Sequence, residues 1–289
     1  MESRNLLLLS VLVLCACAQG PVVAETDASN DPERPRILVT NDDGYSTPGI
    51  TALAEAMAEF ADVVVVAPLE NASGSSQSIK VISNPDGIRL REVAIGDSLT
   101  GYAVDGTPAD CVWIGIRLFG SEDPFDFVVS GTNHGANIGI SYLYSGTVGA
   151  AFQGISQGIP AIAVSQDHRR GEHTTAAEFA AKVVRRLLAR PLDDGVVLSI
   201  NVPDGEIRGA VAVPPGGRSL DIELDPMGER DGDTVYKAGV VEIDPAEFTG
   251  DVRAFVDGYI TVAPLQLDRA HRPTLDTIGE WDFITGSPR

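Results

Sequence analysis

Apolar residues in this chain fall into short continuous runs that alternate with stretches of helical spacing. Arg36-Ile37-Leu38-Val39-Thr40 is the first run of the body, and it stops at Asn41-Asp42-Asp43-Gly44. A continuous β-branched run predicts a strand covered on both faces, as in a parallel sheet. Thr47-Pro48 reads as a helix N-cap followed by proline at the first helical position. Ile50, Leu53, Ala54, Met57 and Phe60-Ala61 then recur at helical spacing. Val63 to Ala67 predicts a second buried strand. Strand, helix and strand make the opening unit of an α/β sheet with a right-handed crossover.

Similar units follow. Pro108 to Leu118 predicts a helix with Ala109, Val112, Trp113 and Ile116 inward. Phe125 to Ser130 predicts a strand that ends in a glycine-rich loop, Gly131 to Gly139. Gly146 to Gln157 reads as a helix of small residues and Ala161 to Ser165 as a strand. Thr174 to Arg190 carries Ala177, Ala180, Ala181, Val184, Leu187 and Leu188 on one helical side. Val196 to Ile200 is a further strand, closed by Asn201-Val202-Pro203. Beyond about Asp204 the pattern becomes Gly, Pro and Asp punctuation between short apolar runs, which predicts hairpins or extended arms packed on the sheet or on a second subunit. The expected class is α/β: a Rossmann-like three-layer sandwich with a mostly parallel sheet, plus a C-terminal hairpin or extended-arm region.

Charge narrows the function. The 289 residues hold 21 Lys+Arg against 41 Asp+Glu, a net charge of −20. That excludes general binding of nucleic-acid polymers, which needs clustered cations against phosphate. An anionic small substrate meets a repulsive long-range field, so a local site must overcome it.

The N-terminus reads as a targeting segment. Leu6 to Leu14 is almost wholly apolar and too short for a membrane-spanning helix of about 20 residues. Leu14-Cys15-Ala16-Cys17 resembles a bacterial lipobox with a lipid anchor at Cys17, whereas Ala16-Cys17-Ala18 and Val22-Val23-Ala24 fit a small-x-small cleavage site. The expected organisation is a signal over 1–24, a flexible tether over 25–35, a catalytic core over 36–205 and a C-terminal extension over 206–289. Export to the periplasm, free or as a membrane-anchored lipoprotein, follows from that reading. Cys111 would then be alone in the mature chain, a buried small residue rather than a nucleophile.

In open α/β sheets, ligands bind beyond the carboxyl ends of the parallel strands. Three polar loops stand at such ends: Thr40 to Gly44, Asn71 to Ser78, and Ser130 to Asn137. Asp42 and Asp43 would point to opposite faces in a continuing strand. They converge only if the chain turns, which Gly44 permits. Two carboxylates with Ser hydroxyl and Asn carbonyl oxygens suit a hard cation, Mg²⁺ or Mn²⁺. Ser145-Gly146-Thr147 precedes a helix and reads either as a phosphate-binding turn or as an ordinary N-cap. The chain lacks G-x-G-x-x-G after its first strand, a P-loop, a zinc pattern among its four His, and the serine of a nucleophile elbow at 146–149.

The ordered motifs resemble the SurE family of survival-protein nucleotidases. The likeness runs through Ile37 to Gly44, Pro48-Gly49-Ile50, Val66-Ala67-Pro68, Asn71 to Gly74, Gly106 to Val112, Ser130 to Asn137, Tyr144 to Val148 and Asn201-Val202-Pro203. The resemblance implies a metal-dependent phosphomonoesterase for nucleoside 5′- and 3′-monophosphates. It implies one divalent cation per subunit on Asp42, Asp43, Ser73 and Asn133. Asn41, Asn71, Asn137, Ser145, Gly146 and Thr147 would hold the phosphate and order the site. It also implies a homodimer or homotetramer with exchanged C-terminal segments. Lys237, after Tyr236, departs from the family pattern.

The expected reaction is hydrolysis by metal-activated water, with Asp42 and Asp43 as the catalytic carboxylates. Asp43 as general base or covalent acceptor remains open. His134, beside Asn133, reads as an orienting residue or as an acid for the leaving oxygen. Trp113 and Trp281 read as packing residues. The rival functions are an exported non-catalytic binding lipoprotein that kept the fold, and a phosphatase of polyphosphate or sugar phosphates.

Overall fold

A computed structural model describes residues 34–167, 173–241, 243–281, 283 and 286. The signal segment, most of the tether, and Cys15 and Cys17 lie outside those residues. Eleven strands and six α-helices follow one another: β1 (Arg36–Thr40), α1 (Pro48–Ala58), β2 (Asp62–Pro68), β3 (Leu90–Ile95), β4 (Leu99–Val104), α2 (Pro108–Phe119), β5 (Phe127–His134), α3 (Gly146–Ser156), β6 (Ala161–Gln166), α4 (Thr174–Ala189), β7 (Val196–Val202), β8 (Gly209–Ala212), β9 (Asp221–Arg230), β10 (Asp233–Val241), α5 (Gly250–Val256), β11 (Tyr259–Gln266) and α6 (Arg272–Gly279). No helix of the described residues is long and apolar enough to cross a membrane.

The main sheet has nine strands in the order β3-β4-β2-β1-β5-β6-β7-β11-β8. The run β4-β2-β1-β5-β6-β7 is parallel throughout. β3 joins β4 antiparallel and β11 joins β7 antiparallel. β9 and β10 form a separate two-stranded antiparallel ribbon.

The alternation of β1 explains its continuous apolar run. Ile37 and Val39 enter one core with α1 and α4, while Leu38 enters the other with α2 and α3. All three are fully buried, and each such side chain contributes about 1.5–3 kcal/mol of transfer free energy. Helices therefore cover both faces, giving three layers.

β1 leads left to β2, and β5, on its other side, leads right to β6. The order reverses between β1 and β5, which makes their carboxyl ends the switch point where a ligand crevice forms. The connections β1–α1–β2 and β5–α3–β6 run in opposite directions on opposite faces, so they share one hand. The connection β6–α4–β7 runs rightward on the face of α1 and so has the opposite hand, against a strong general preference. Its consequence is local: His173, at the start of α4, comes beside Gly49 of α1.

Three expectations need correction. β5 continues through Gly131 to His134, so the glycine-rich loop begins four residues later than the composition suggested. Pairing of Asn133 and His134 with Ser165 and Gln166 of β6 carries the strand on past an irregularity at Ser130. Trp113 and Ile116 of α2 are only half-buried, because Cys111, Val112 and Gly115 take the inward stripe. Trp281 is 49% exposed, and its ring packs against that of the exposed Phe283. Cys111 is buried as expected. β3 and β4 had no clear signature, since Gly101 and Tyr102 interrupt their apolar pattern.

Candidate active site

β1 stops at Thr40 because the next residues spend their hydrogen bonds on a turn. Gly44 takes φ +107°, a conformation that other residues rarely adopt. Asn41 Oδ1 accepts from Gly44 N at 3.2 Å, and its Nδ2 donates to Gly44 O at 2.9 Å and Thr47 Oγ1 at 3.1 Å. The Asn41 carboxamide is thus committed to the loop and fixes the carboxylates that follow. Asp42 is buried and Asp43 half-buried.

Each carboxylate is tied to a different element. Asp42 Oδ1 accepts a 2.6 Å bond from Thr147 Oγ1 in the first turn of α3. Asp43 Oδ2 accepts from the backbone N of His134 at 2.8 Å, at the end of β5. Burial pushes the Asp42 carboxyl up to about 6, with the Thr147 bond opposing and the charge of Asp43 adding.

Ser145 Oγ caps α3 by accepting from Val148 N at 3.1 Å. That is the N-cap reading, with the free helix end facing the carboxylates. Gly146 matters for what it lacks. A Cβ there would sit 2.7 Å from Ser75 Oγ, 2.9 Å from Asp42 Cβ and 3.0 Å from Asp42 Oδ2. Only glycine lets the start of α3 pack this closely on Asp42 and Ser75. Ser75 Oγ lies at that contact, buried and without a hydrogen-bond partner. Such an orphan costs about 1–3 kcal/mol, a cost a bound ligand would relieve.

The loop after β2 docks on β1 through Ala72 N, which donates to Asp42 O at 2.7 Å. Asn71 Oδ1 accepts from Ser73 N at 3.0 Å, and both side chains stand exposed at the rim. Ser75, which the sequence did not single out, is the serine buried beside Asp42. A run holding Ser73, Ser75, Ser76 and Ser78 carries no periodicity that could choose among them.

Across the switch point, Asn133 Nδ2 donates to Gly135 O at 2.6 Å. Its Oδ1 takes no hydrogen bond among the described residues. Asn137 is held by a buried polar set at the ends of β6 and β7: its N donates to Asn201 Oδ1 at 2.7 Å and its Nδ2 to Ser165 Oγ at 2.9 Å. Asn201 is fully buried and was legible only as part of a closing motif. His173 was read as one scattered histidine, yet its ring lies 6.0 Å from that of His134. Burial, then the charge of His134, holds its imidazole below the usual range, with Asp43 opposing.

Among the described residues, no group of three His, Cys, Asp or Glu is placed to hold a metal ion. The donors on these strand-end loops are oxygens: the Asp42 and Asp43 carboxylates, the Asn133 carboxamide one residue before the His134 amide that binds Asp43, and serine hydroxyls. A buried carboxylate at raised pKa and an orphaned hydroxyl fit a hard cation, which prefers that donor type.

Known proteins share this arrangement of motifs. The family model described as survival protein SurE matches residues 37–220. The chain is 41% identical over 257 residues to a 5′-nucleotidase SurE of Alkalilimnicola ehrlichii, covering 87% of this chain and 97% of that one. It is 39% identical over 251 residues to a 5′/3′-nucleotidase SurE of Escherichia coli, covering 85% and 96%. A crystal structure of the SurE protein from Aquifex aeolicus is similar with a TM-score of 0.72 at 33% identity, covering 85% of this chain and 98% of that chain. With the strand-end motifs, the sheet and the relatives all in agreement, the chain belongs to the SurE family.

Proposed function

We propose that the chain is a nucleotidase that hydrolyses nucleoside 5′- and 3′-monophosphates to nucleoside and phosphate. The observation that carries this reading is the meeting of Asp42 and Asp43 with the first turn of α3 and the end of β5 at the switch point of a chain about 40% identical to nucleotidases. Asp42, Asp43, Asn133 and Ser73 would hold one Mg²⁺ or Mn²⁺. When bound, that ion supplies Lewis acidity and screens the carboxylates from a dianionic ester.

The chain's own groups do the rest. The first-turn amides of α3 would face the phosphoryl oxygens at the positive helix end, while the Thr147 hydroxyl holds Asp42. Asn137, anchored by Asn201 and Ser165, stabilises charge on the equatorial oxygens. Asp43 takes a proton from the attacking water. The new P–O bond forms as the ester P–O bond breaks, and the leaving alkoxide takes its proton from solvent water. His134 orients Asp43 through its backbone N–H.

The ribbon β9–β10 exposes Ile222, Leu224, Met227, Tyr236 and Val240. A two-stranded ribbon is marginal alone, and a second copy of the chain covering it would give the homo-oligomer. A panel of nucleoside monophosphates, assayed for phosphate release with Mg²⁺, Mn²⁺ or chelator, tests the reading. Release from nucleotides that stops with chelator is expected. Metal-independent release, or no release from any nucleotide, would contradict it.

A further inference from the structure

A cleft of about 240 Å³ opens on the β4 side of the site, between the loop after β2 and the loop after β4. Glu70, Ser75, Ser78, Lys80, Asp105 and Thr107 line it. Asn71 and Ser73, which the family resemblance assigns to phosphate and metal, line the cleft as well, so the cleft borders the proposed site. The cleft is smaller than the roughly 300–1,000 Å³ of a pocket that encloses a whole ligand. It suits one part of a ligand whose remainder lies at that site.

Its walls are built rather than incidental. Leu69 N donates to Val104 O at 2.7 Å and Ala72 N to Asp42 O at 2.7 Å, which pins the loop after β2 on both sides. The opposite rim hangs from Asp110, fully buried at the start of α2. Its carboxylate accepts from Lys80 N at 3.0 Å, from Val81 N at 3.0 Å and from Thr107 N at 2.9 Å. Thr107 Oγ1 donates to Ser78 O at 2.7 Å. A buried carboxylate thus fixes the backbone of Lys80 at the edge of the cleft.

The Lys80 ammonium is left for a ligand. Asp105, an acidic group of the cleft, is engaged by Arg89 at 2.5 Å. Arg89 holds the Asp105 carboxyl below its usual range, with Lys80 adding to the effect. Lys80 itself makes no ion pair among the described residues. Its three N–H donors match acceptor atoms, and the Glu70 carboxylate supplies acceptors on the same cleft. A nucleoside presents both kinds of group, and its phosphate would lie at the Asn71 and Ser73 end of the cleft.

We propose that this cleft holds the nucleoside portion of the substrate and that Lys80 is its specificity-determining residue. The inference rests on the nucleotidase reading and adds the place of the base and ribose to it. Lys80→Ala removes the donor. Ser78→Phe fills the cleft from an exposed position whose backbone bonds are unaffected.

The experiment compares kcat/KM for GMP with kcat/KM for glycerol 2-phosphate, a monoester without base or ribose, in wild type and both variants. The expected result is a fall of at least tenfold in the GMP to glycerol-phosphate ratio in both variants, carried by KM in Lys80→Ala. A ratio within twofold of wild type in either variant overturns the subsite while leaving the nucleotidase reading intact. Wild-type activity on glycerol 2-phosphate with none on GMP overturns that reading and the subsite with it.

Discussion

Thr147 Oγ1 donates a 2.6 Å hydrogen bond to Asp42 Oδ1, joining the first turn of α3 to the end of β1 across 105 positions of sequence. The bond adds the side-chain donor to the backbone amides of Thr147 and Asp42 that also serve this buried carboxylate. Thr147→Val keeps the shape and removes the hydroxyl. Because such orienting partners are worth about 10–100-fold in affinity or activity, metal affinity or kcat/KM should fall by that factor, and Thr147→Ser should restore most of it. Titration with Mn²⁺ and steady-state kinetics on both variants check this.

Gly146→Ala tests how tightly α3 must pack on the carboxylate loop. The added Cβ would fall 2.7 Å from Ser75 Oγ and 2.9 Å from Asp42 Cβ, and such overpacking costs about 1–3 kcal/mol. The melting temperature should fall, and phosphatase activity should drop at least tenfold at a temperature where the variant is still folded.

Asp251 predicts a pH effect away from the chemistry. Its Oδ1 accepts from Gly139 N at 3.0 Å and Gly216 N at 2.6 Å, and burial raises its carboxyl above 3.8 in spite of those bonds. A raised folded value means that the group's stabilising share is full below the unfolded pKa and is lost as pH rises through the folded one. Asp251→Asn keeps the acceptor and removes the charge. Its stability relative to wild type should therefore improve between pH 4 and pH 7. Asp251→Ala leaves two amides unpaired at about 1–3 kcal/mol each and should be destabilised across the range. Urea denaturation at several pH values distinguishes the three chains.

Asn201→Ala tests the anchoring of Asn137. The Asn137 amide would lose its 2.7 Å acceptor, an unpaired buried group worth about 1–3 kcal/mol. Activity should fall with KM for phosphate esters rising, whereas Asn201→Asp, which keeps the acceptor, should retain more of it.

The export reading makes its own prediction. It predicts that the chain, expressed in a bacterium, starts by intact mass after residue 16 with a lipidated Cys17, or after residue 18 or 24 without lipid. A retained Met1 in the exported protein would contradict both forms of processing.

Much of the fold was legible because the central strands advertise themselves. Runs such as Ile37 to Val39 and Val63 to Ala67 are apolar at successive positions, which only a doubly covered strand requires. The edges were not legible: β3 and β4 form a half-exposed antiparallel pair with Gly101 in it, where one face needs no apolar residue. The site was legible as loops but not as atoms. Asp42 and Asp43 announced a turn through Gly44, yet nothing local says that Asp42 faces α3 while Asp43 faces β5. Ser75 and His173 depend on tertiary contacts, the latter on a crossover of unusual hand. Asn201 looked like a strand terminator because its partner lies 64 positions away.

Phosphate release from AMP by Asp43→Asn, measured at saturating Mg²⁺ or Mn²⁺ beside the wild type, bears most directly on the central claim. Loss of most turnover with the fold preserved, as judged by an unchanged far-UV spectrum and melting curve, is the expected result. Turnover close to wild type in that variant would show that the carboxylates at the end of β1 do not carry the reaction.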